Sequence, residues 1–259
     1  MSDLTRRDVL KLSAWTAGAA GAVSFPRCAA AAAPAPEGRK LKVIFAGAHP
    51  DDMEGAAGGT MARYADQGHD VVSLYLTRGE AGMKGKSHEE AGTIRTSQAE
   101  KACAILKIRP LFCGQIDGTT EVNPARYDEF RKILVEQQPD LVYTWWPINS
   151  HRDHRAVFTL VYDAYLKAKQ GFDLVFCENG GAQLFTPTHY VDITETEPRK
   201  REACFSHTWY KDRPDLDLYK NVDVMHRFRG IEAGCTFAEA FVQHSKNRKD
   251  LHVPANRKG

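Results

Sequence analysis

Leu41-Lys42-Val43-Ile44-Phe45-Ala46-Gly47-Ala48 runs directly into His49-Pro50-Asp51-Asp52. The first part is almost continuously apolar, the pattern of a strand covered on both faces in a parallel sheet. The second part is polar and carries a proline, so the strand must stop there. A helical pattern follows over 53–67, and Gly68 stands at the position after its last turn, where a left-handed residue closes a helix.

The same alternation continues outward. Strands are expected at 71–76, 110–113, 141–146, 172–178 and 189–194. Helices are expected at 89–106, from Asn123-Pro124 to 138, at 152–169, from 197 and from about 217. Asn123 reads as an N-cap with Pro124 in the first turn. A glycine-rich loop spans 77–87. No internal repeat is present. Apolar strands alternating with helices predict an α/β fold, a Rossmann-like three-layer α/β/α arrangement with a mostly parallel sheet. Ligands of such sheets sit beyond the carboxyl ends of the strands.

Composition excludes several classes. Of 259 residues, 42% are hydrophobic and 26% charged, as in ordinary globular proteins and unlike disordered, collagenous or multi-pass membrane chains. The 35 Lys and Arg against 33 Asp and Glu leave a net charge of +2, too weak for a nucleic-acid partner. Six Cys are too dilute for a disulfide scaffold, and none forms a CxxC pair. Cys103, Cys113, Cys177 and Cys204 fall in apolar patterns and read as buried thiols.

Residues 1–33 differ from the rest. Thr5-Arg6-Arg7-Asp8-Val9-Leu10-Lys11 precedes 14 uncharged residues, 12–25, and then an alanine run. A basic start, a short apolar stretch and small residues at the exit are the pattern of a secretory signal peptide. The twin arginines resemble a twin-arginine (Tat) signal, with Val9 where Phe is usual. The apolar stretch is shorter than the roughly 20 residues that span a bilayer. Arg27 before Cys28 argues against a lipoprotein. Cleavage is expected near 30–33, a linker at 34–40 and one domain over 41–259. The expected partners are therefore the Tat machinery and a small-molecule or glycoconjugate substrate. The expected location is periplasmic or extracellular, with no membrane span after cleavage.

Two clusters carry the chemistry. His49 and Asp52 offer an imidazole nitrogen and a carboxylate oxygen, both zinc-ligand types, and can converge around one turn. Asp51 then points elsewhere, within reach of an attacking water; alternatively one of the two aspartates merely caps the helix. His151-Arg152-Asp153-His154 follows the strand ending in Trp145-Trp146, and its two histidines are spaced to share a helix face. Both clusters fall at strand carboxyl ends, where one site can collect them. Three protein ligands without Cys suit a catalytic zinc with an open position.

AHPDD at 48–52, TRGE at 77–80 and HRDH at 151–154 together resemble the PIG-L/LmbE-like deacetylases, over about 41–244, with weaker echoes at 190–193 and 238–241. The resemblance implies a zinc-dependent enzyme that removes acetyl groups from N-acetylglucosamine units. It implies one Zn²⁺ per chain, another divalent metal being possible, held by His49, Asp52 and His154. It implies Asp51 as general base and His151 as the histidine that steadies the charged intermediate. Two departures concern substrate contacts: Gln98 stands where Glu is frequent, and His207-Thr208-Trp209-Tyr210 replaces His-x-Ser-Gln.

The expected reaction is hydrolysis of a linear amide on an amino sugar. Two other readings are a metallohydrolase of another bond, such as a phosphoester, and a non-catalytic sugar-binding protein. Asp153 could orient a histidine. Arg78, Glu80, Lys84 and Lys86 read as a solvated charge run, Trp145 and Trp146 as strand core, and Asp117-Gly118 as a tight turn.

Overall fold

The computed structural model describes residues 39–169, 171–180, 183–209 and 218–245. The signal segment, most of the linker, Tyr210 and the last residues lie outside the described residues.

Seven strands form one sheet: β1 (Lys42–Gly47), β2 (Asp70–Thr77), β3 (Arg109–Gln115), β4 (Leu141–Trp145), β5 (Asp173–Cys177), β6 (His189–Asp192) and β7 (Ala238–Gln243). The order is β3-β2-β1-β4-β5-β7-β6. β1 to β5 run parallel, whereas β7 pairs antiparallel with both β5 and β6. Val43 lies between Val71 and Leu141 in register.

The helices are α1 (Asp52–Asp66), α2 (His88–Leu106), α3 (Pro124–Glu136), α4 (Arg152–Lys167), α5 (Glu197–Cys204) and α6 (Leu218–Ala233). α1 packs with α5, and α5 with α2; α3 packs with α4. Right-handed crossovers put the two groups on opposite faces of the sheet, which is the expected three-layer architecture.

Local chemistry sets the helix ends. Asn123 caps α3 by accepting from Arg126 N at 3.0 Å. Ser87 and Glu90 form a reciprocal capping box at α2. Gly68 takes φ +82° after α1, as its position predicts. From β1 the chain steps outward to β2 and β3, then returns to β4 on the other side of β1. The carboxyl ends of β1 and β4 therefore flank the switch point, where open α/β sheets bind ligands.

β7 was absent from the sequence reading, because Glu239 interrupts its apolar run. The structure gives that carboxylate a role. α1 breaks at Ala57 (φ −143°, ψ 15°), beside the Gly58-Gly59 pair. The break frees two amides, and Glu239 accepts from Gly59 N at 2.9 Å and Thr60 N at 2.8 Å. Lys200 Nζ lies 2.6 Å from the same carboxylate, and both side chains are fully buried. One ion pair thus ties β7, α1 and α5 together. The two weak echoes at 190–193 and 238–241 prove to be cross-strand neighbours, with Tyr190 opposite Ala240.

None of the described cysteines forms a disulfide; Cys103, Cys113 and Cys177 are buried as expected, and Cys204 is only half-buried. Among the described residues no helix is long and apolar enough to cross a membrane.

Glu239→Gln leaves the buried Lys200 charge without a counter-charge and should cost about 3–5 kcal/mol in denaturant unfolding. Adding Lys200→Met removes the orphaned charge, so the double variant should be more stable than Glu239→Gln alone. Additive losses would show that the pair does not act as a unit.

Candidate active site

The two sequence clusters meet. His49 to Asp52 leave the end of β1, and His151 to His154 leave the end of β4 and open α4. They line one cavity of about 600 Å³.

Asp52 organises the centre. Its Oδ2 accepts from Ala48 N at 2.7 Å, His49 N at 3.0 Å and Trp145 Nε1 at 3.2 Å. Its Oδ1 is left facing His154 Nε2 at 3.2 Å and His49 Nδ1 at 3.6 Å. Burial alone would raise this carboxyl, but His154 and His49 hold it well below the usual carboxylate range. Trp145 also stacks on His154, with centroids 4.7 Å apart and planes 14° apart. It is therefore strand core, as expected, and part of the site as well.

His49 is aimed by two further carboxylates. Its Nε2 lies 3.0 Å from Asp117 Oδ1 and 3.3 Å from Asp153 Oδ2. Asp153 is itself fixed by Gly118 N at 2.9 Å and Thr120 Oγ1 at 2.6 Å. Burial opposes a charge on His49, yet Asp52, Asp117 and Asp153 raise its imidazole well above the ordinary value. Two carboxylates at Nε2 keep the proton there, which turns the Nδ1 lone pair toward Asp52. Nδ1 facing a carboxylate oxygen calls for a cation between them, either a second proton, as the raised imidazole favours, or a metal ion.

The spacing agrees with that demand. Tetrahedral zinc with bonds near 2.0–2.1 Å separates its ligand atoms by about 3.3 Å. Asp52 Oδ1 lies at 3.2 and 3.6 Å from the two imidazole nitrogens. His151 also contributes to a three-imidazole group with His49 and His154, whose nitrogens lie within 4.8 Å of one another. His49, Asp117 and Asp153 form a second group of the same kind. His151 is exposed, and the bond from Asp153 N to its Nδ1 at 3.3 Å holds it at the rim. Burial, His154 and His49 together lower its imidazole below the ordinary value.

Asp51 does not cap α1. It takes φ +99°, and its side chain makes no capping bond. The left-handed turn sends its carboxylate away from Asp52, where Oδ2 accepts from Arg95 at 3.1 Å and from Trp209 Nε1. Burial raises the Asp51 carboxyl, opposed by Arg95.

Arg95, on α2, is almost fully buried against the loop after β2, donating to Gly79 O at 3.3 Å and to Pro50 O. A Cβ on Gly79 would meet its guanidinium at 2.5 Å. The glycines of that loop thus make room for Arg95. The rest of the charge run divides: Glu80 is buried, pairs with Arg78 at 3.2 Å and accepts from Asp117 N.

The two sequence departures touch each other. Gln98 Nε2 donates to Thr208 Oγ1 at 2.6 Å, and Thr208 N donates to Gln98 Oε1 at 3.2 Å. This clamp delivers Trp209 to Asp51. Sequence reasoning singled out both stretches but not their contact. It also missed Asn179, whose amide lies 3.2 Å from His154 Nδ1. His207 is buried in the cavity wall with Nε2 3.5 Å from Glu54 Oε1.

Fold and site together define an α/β protein with a nitrogen-and-oxygen donor cluster at the switch point of its sheet. Comparison with known proteins adds the family: a family model described as PIG-L, GlcNAc-PI de-N-acetylase, matches residues 44–165. A probable N-acetyl-alpha-D-glucosaminyl L-malate deacetylase 2 of Bacillus cereus is 33% identical over 183 residues, 65% of this chain and 82% of that protein. A 1D-myo-inositol 2-acetamido-2-deoxy-alpha-D-glucopyranoside deacetylase of Rhodococcus erythropolis is 27% identical over 227 residues, 71% of this chain and 75% of that one. The chain belongs to the PIG-L family. The fold is shared with an N,N'-diacetylchitobiose deacetylase from Pyrococcus horikoshii, at TM-score 0.71 and 23% identity over 79% of this chain and 84% of that one.

Gly79→Ala and Gly85→Ala separate backbone strain from the Arg95 cradle. Both glycines have positive φ, but only at Gly79 does a Cβ meet a neighbour. Gly85→Ala should cost about 1–2 kcal/mol from strain alone. Gly79→Ala should cost clearly more in thermal unfolding, and equal losses would remove the cradle.

Proposed function

We propose that the chain is an exported, zinc-dependent N-deacetylase that hydrolyses the acyl amide of an N-acylated amino sugar or its glycoside. The observation that carries this reading is Asp52 Oδ1 set 3.2 Å from His154 Nε2 and 3.6 Å from His49 Nδ1, with Asp51 held beside it by Arg95 and Trp209. The relatives named as deacetylases of N-acetylglucosamine-containing compounds support the substrate class.

His49, Asp52 and His154 would hold the metal. A Zn²⁺ there supplies Lewis-acid chemistry, activating water near neutral pH and polarising the acyl carbonyl. Asp51 Oδ2, steadied by Arg95 and Trp209, accepts the proton of the attacking water. His151, at the rim, donates toward the oxyanion that develops on the former carbonyl oxygen. Asp117 and Asp153 keep the Nε2 proton of His49 in place, so that Nδ1 remains a donor atom.

This assignment supports one metal per chain, which argues against a two-metal phosphoesterase. His49→Ala and His154→Ala should lose stoichiometric metal in elemental analysis. Asp51→Asn should keep it, while acetate release from N-acetylated sugars falls by about 10²–10⁴-fold. Metal loss in Asp51→Asn with metal retained in Asp52→Asn would reverse the two carboxylates. Metal loss in His151→Ala would make the three-imidazole group the metal site. Absence of any acetate release would favour a sugar-binding role.

Export rests on the signal pattern of residues 1–33. Changing both Arg6 and Arg7 to Lys should hold the precursor in the cytoplasm, as followed by fractionation and immunoblotting. Normal export of that variant would point to another route.

A further inference from the structure

The cavity wall divides into two chemistries. Toward the ends of β3 and β5 it is polar, with Asp117, Glu178 and Asn179. Toward α1, α5 and α6 it is apolar. One turn beyond Asp51 and Asp52, α1 presents only Gly55 and Ala56 to the cavity. Cys204 and Phe205 close the end of α5, and Tyr219, Val222 and Met225 come from one face of α6.

Among the described residues, none of the side chains that α1, α5 and α6 give this arm is charged. The Tyr219 hydroxyl donates to Glu197, so the cavity receives its ring. Burial pushes the Cys204 thiol up to about 12, keeping it neutral. Phe205 stays 51% exposed, with its ring 5.3 Å from that of Tyr219. His207, just past the end of α5, is the one polar side chain at the base of this wall, its ring nitrogens without hydrogen-bond partners; beyond it a sugar would find no polar side chain among the described residues, a cost of about 1–3 kcal/mol for each buried hydroxyl.

The arm is also far larger than an acetyl methyl. From Tyr219 to Met225, α6 advances about 9 Å, the reach of roughly six to eight carbons. A methyl group at the reaction centre would leave most of that wall facing water.

We propose that this arm binds a linear apolar N-acyl chain of about six to eight carbons, so that the preferred substrate is a medium-chain N-acyl amino sugar. The two substituents of an amide diverge from its reacting carbon and nitrogen. With the sugar hydroxyls on the polar side, the acyl chain enters the apolar side. Across this arm Gly55 faces Val222, close enough that a Cβ on Gly55 would lie in ordinary contact with it at 3.9 Å. The proposal rests on the N-deacylase reading above.

The test uses the mature metal-loaded chain and two series. The first is binding of N-methyl-, N-butyl-, N-hexyl- and N-octylglucosamine, which contain no amide, measured by calorimetry. The second is release of carboxylate from the matching N-acylglucosamines. The dissociation constant should fall about two- to fourfold per methylene up to six to eight carbons. The kcat/KM for octanoyl over acetyl should rise in parallel. Val222→Asp and Met225→Asp, checked for folding by circular dichroism, should flatten both series. A binding series flat with chain length overturns the proposal, as does a steeper series for alkyl glycosides of unsubstituted glucosamine, which would put the chain on the anomeric side. Steep binding without turnover of any amide supports the arm and defeats the hydrolase reading. Acetate release with two flat series does the reverse.

Discussion

Asp52 must face two ways at once, and the site depends on that. One oxygen ties down the backbone of Ala48 and His49 and the indole of Trp145. That leaves the other oxygen a single direction, toward His49 and His154. A carboxylate with one oxygen saturated by donors cannot swing, so it presents one donor atom and not two. The same three bonds join the ends of β1 and β4 across the switch point. The sheet topology brings the two strand ends together, and Asp52 locks them in register.

The buried charges on the other side of α1 complement this arrangement. The helix that carries Asp52 is broken at Ala57, and a broken helix exposes amides that need acceptors. Glu239 supplies both, and Lys200 balances its charge. The first turns of α1, which carry Asp52 and the apolar Gly55 and Ala56, can therefore take a direction of their own. A straight helix would pass its amide bonds through this region without help from β7. The antiparallel end of the sheet thus supports the reaction centre built by its parallel half.

Much of the centre was legible from residues alone. An apolar strand stopping at His49-Pro50-Asp51-Asp52, and another stopping before His151, already imply a shared site, because parallel strands expose their carboxyl ends on one edge. Trp145 is strand core as read, but an apolar strand residue gives no sign that its indole N–H also reaches a carboxylate. Asp117 and Gly118 do form a turn, as read, but the contact of Asp117 with His49 lies 68 positions away and leaves no local sign. Glu80 looked solvated because charge runs usually are; its burial comes from Arg78 and the amide of Asp117. β7 escaped because a buried charge breaks the apolar pattern by which buried strands are recognised.

Read alone, the residues already specify the α/β class, the order of most elements, the helix ends at Gly68 and Asn123 and the two donor clusters. These are local properties, set by side-chain periodicity, capping chemistry and residue type. Tertiary structure alone decided which oxygen of Asp52 faces the histidines, that Asp51 turns toward Arg95 and Trp209, and that Gln98 and Thr208 meet. It alone decided that the cavity has one polar and one apolar wall. Those facts depend on contacts between residues up to 158 positions apart, as between Asp51 and Trp209. Pattern and propensity extend over a few turns of chain, while a hydrogen bond or an ion pair forms wherever the fold brings its two atoms within reach.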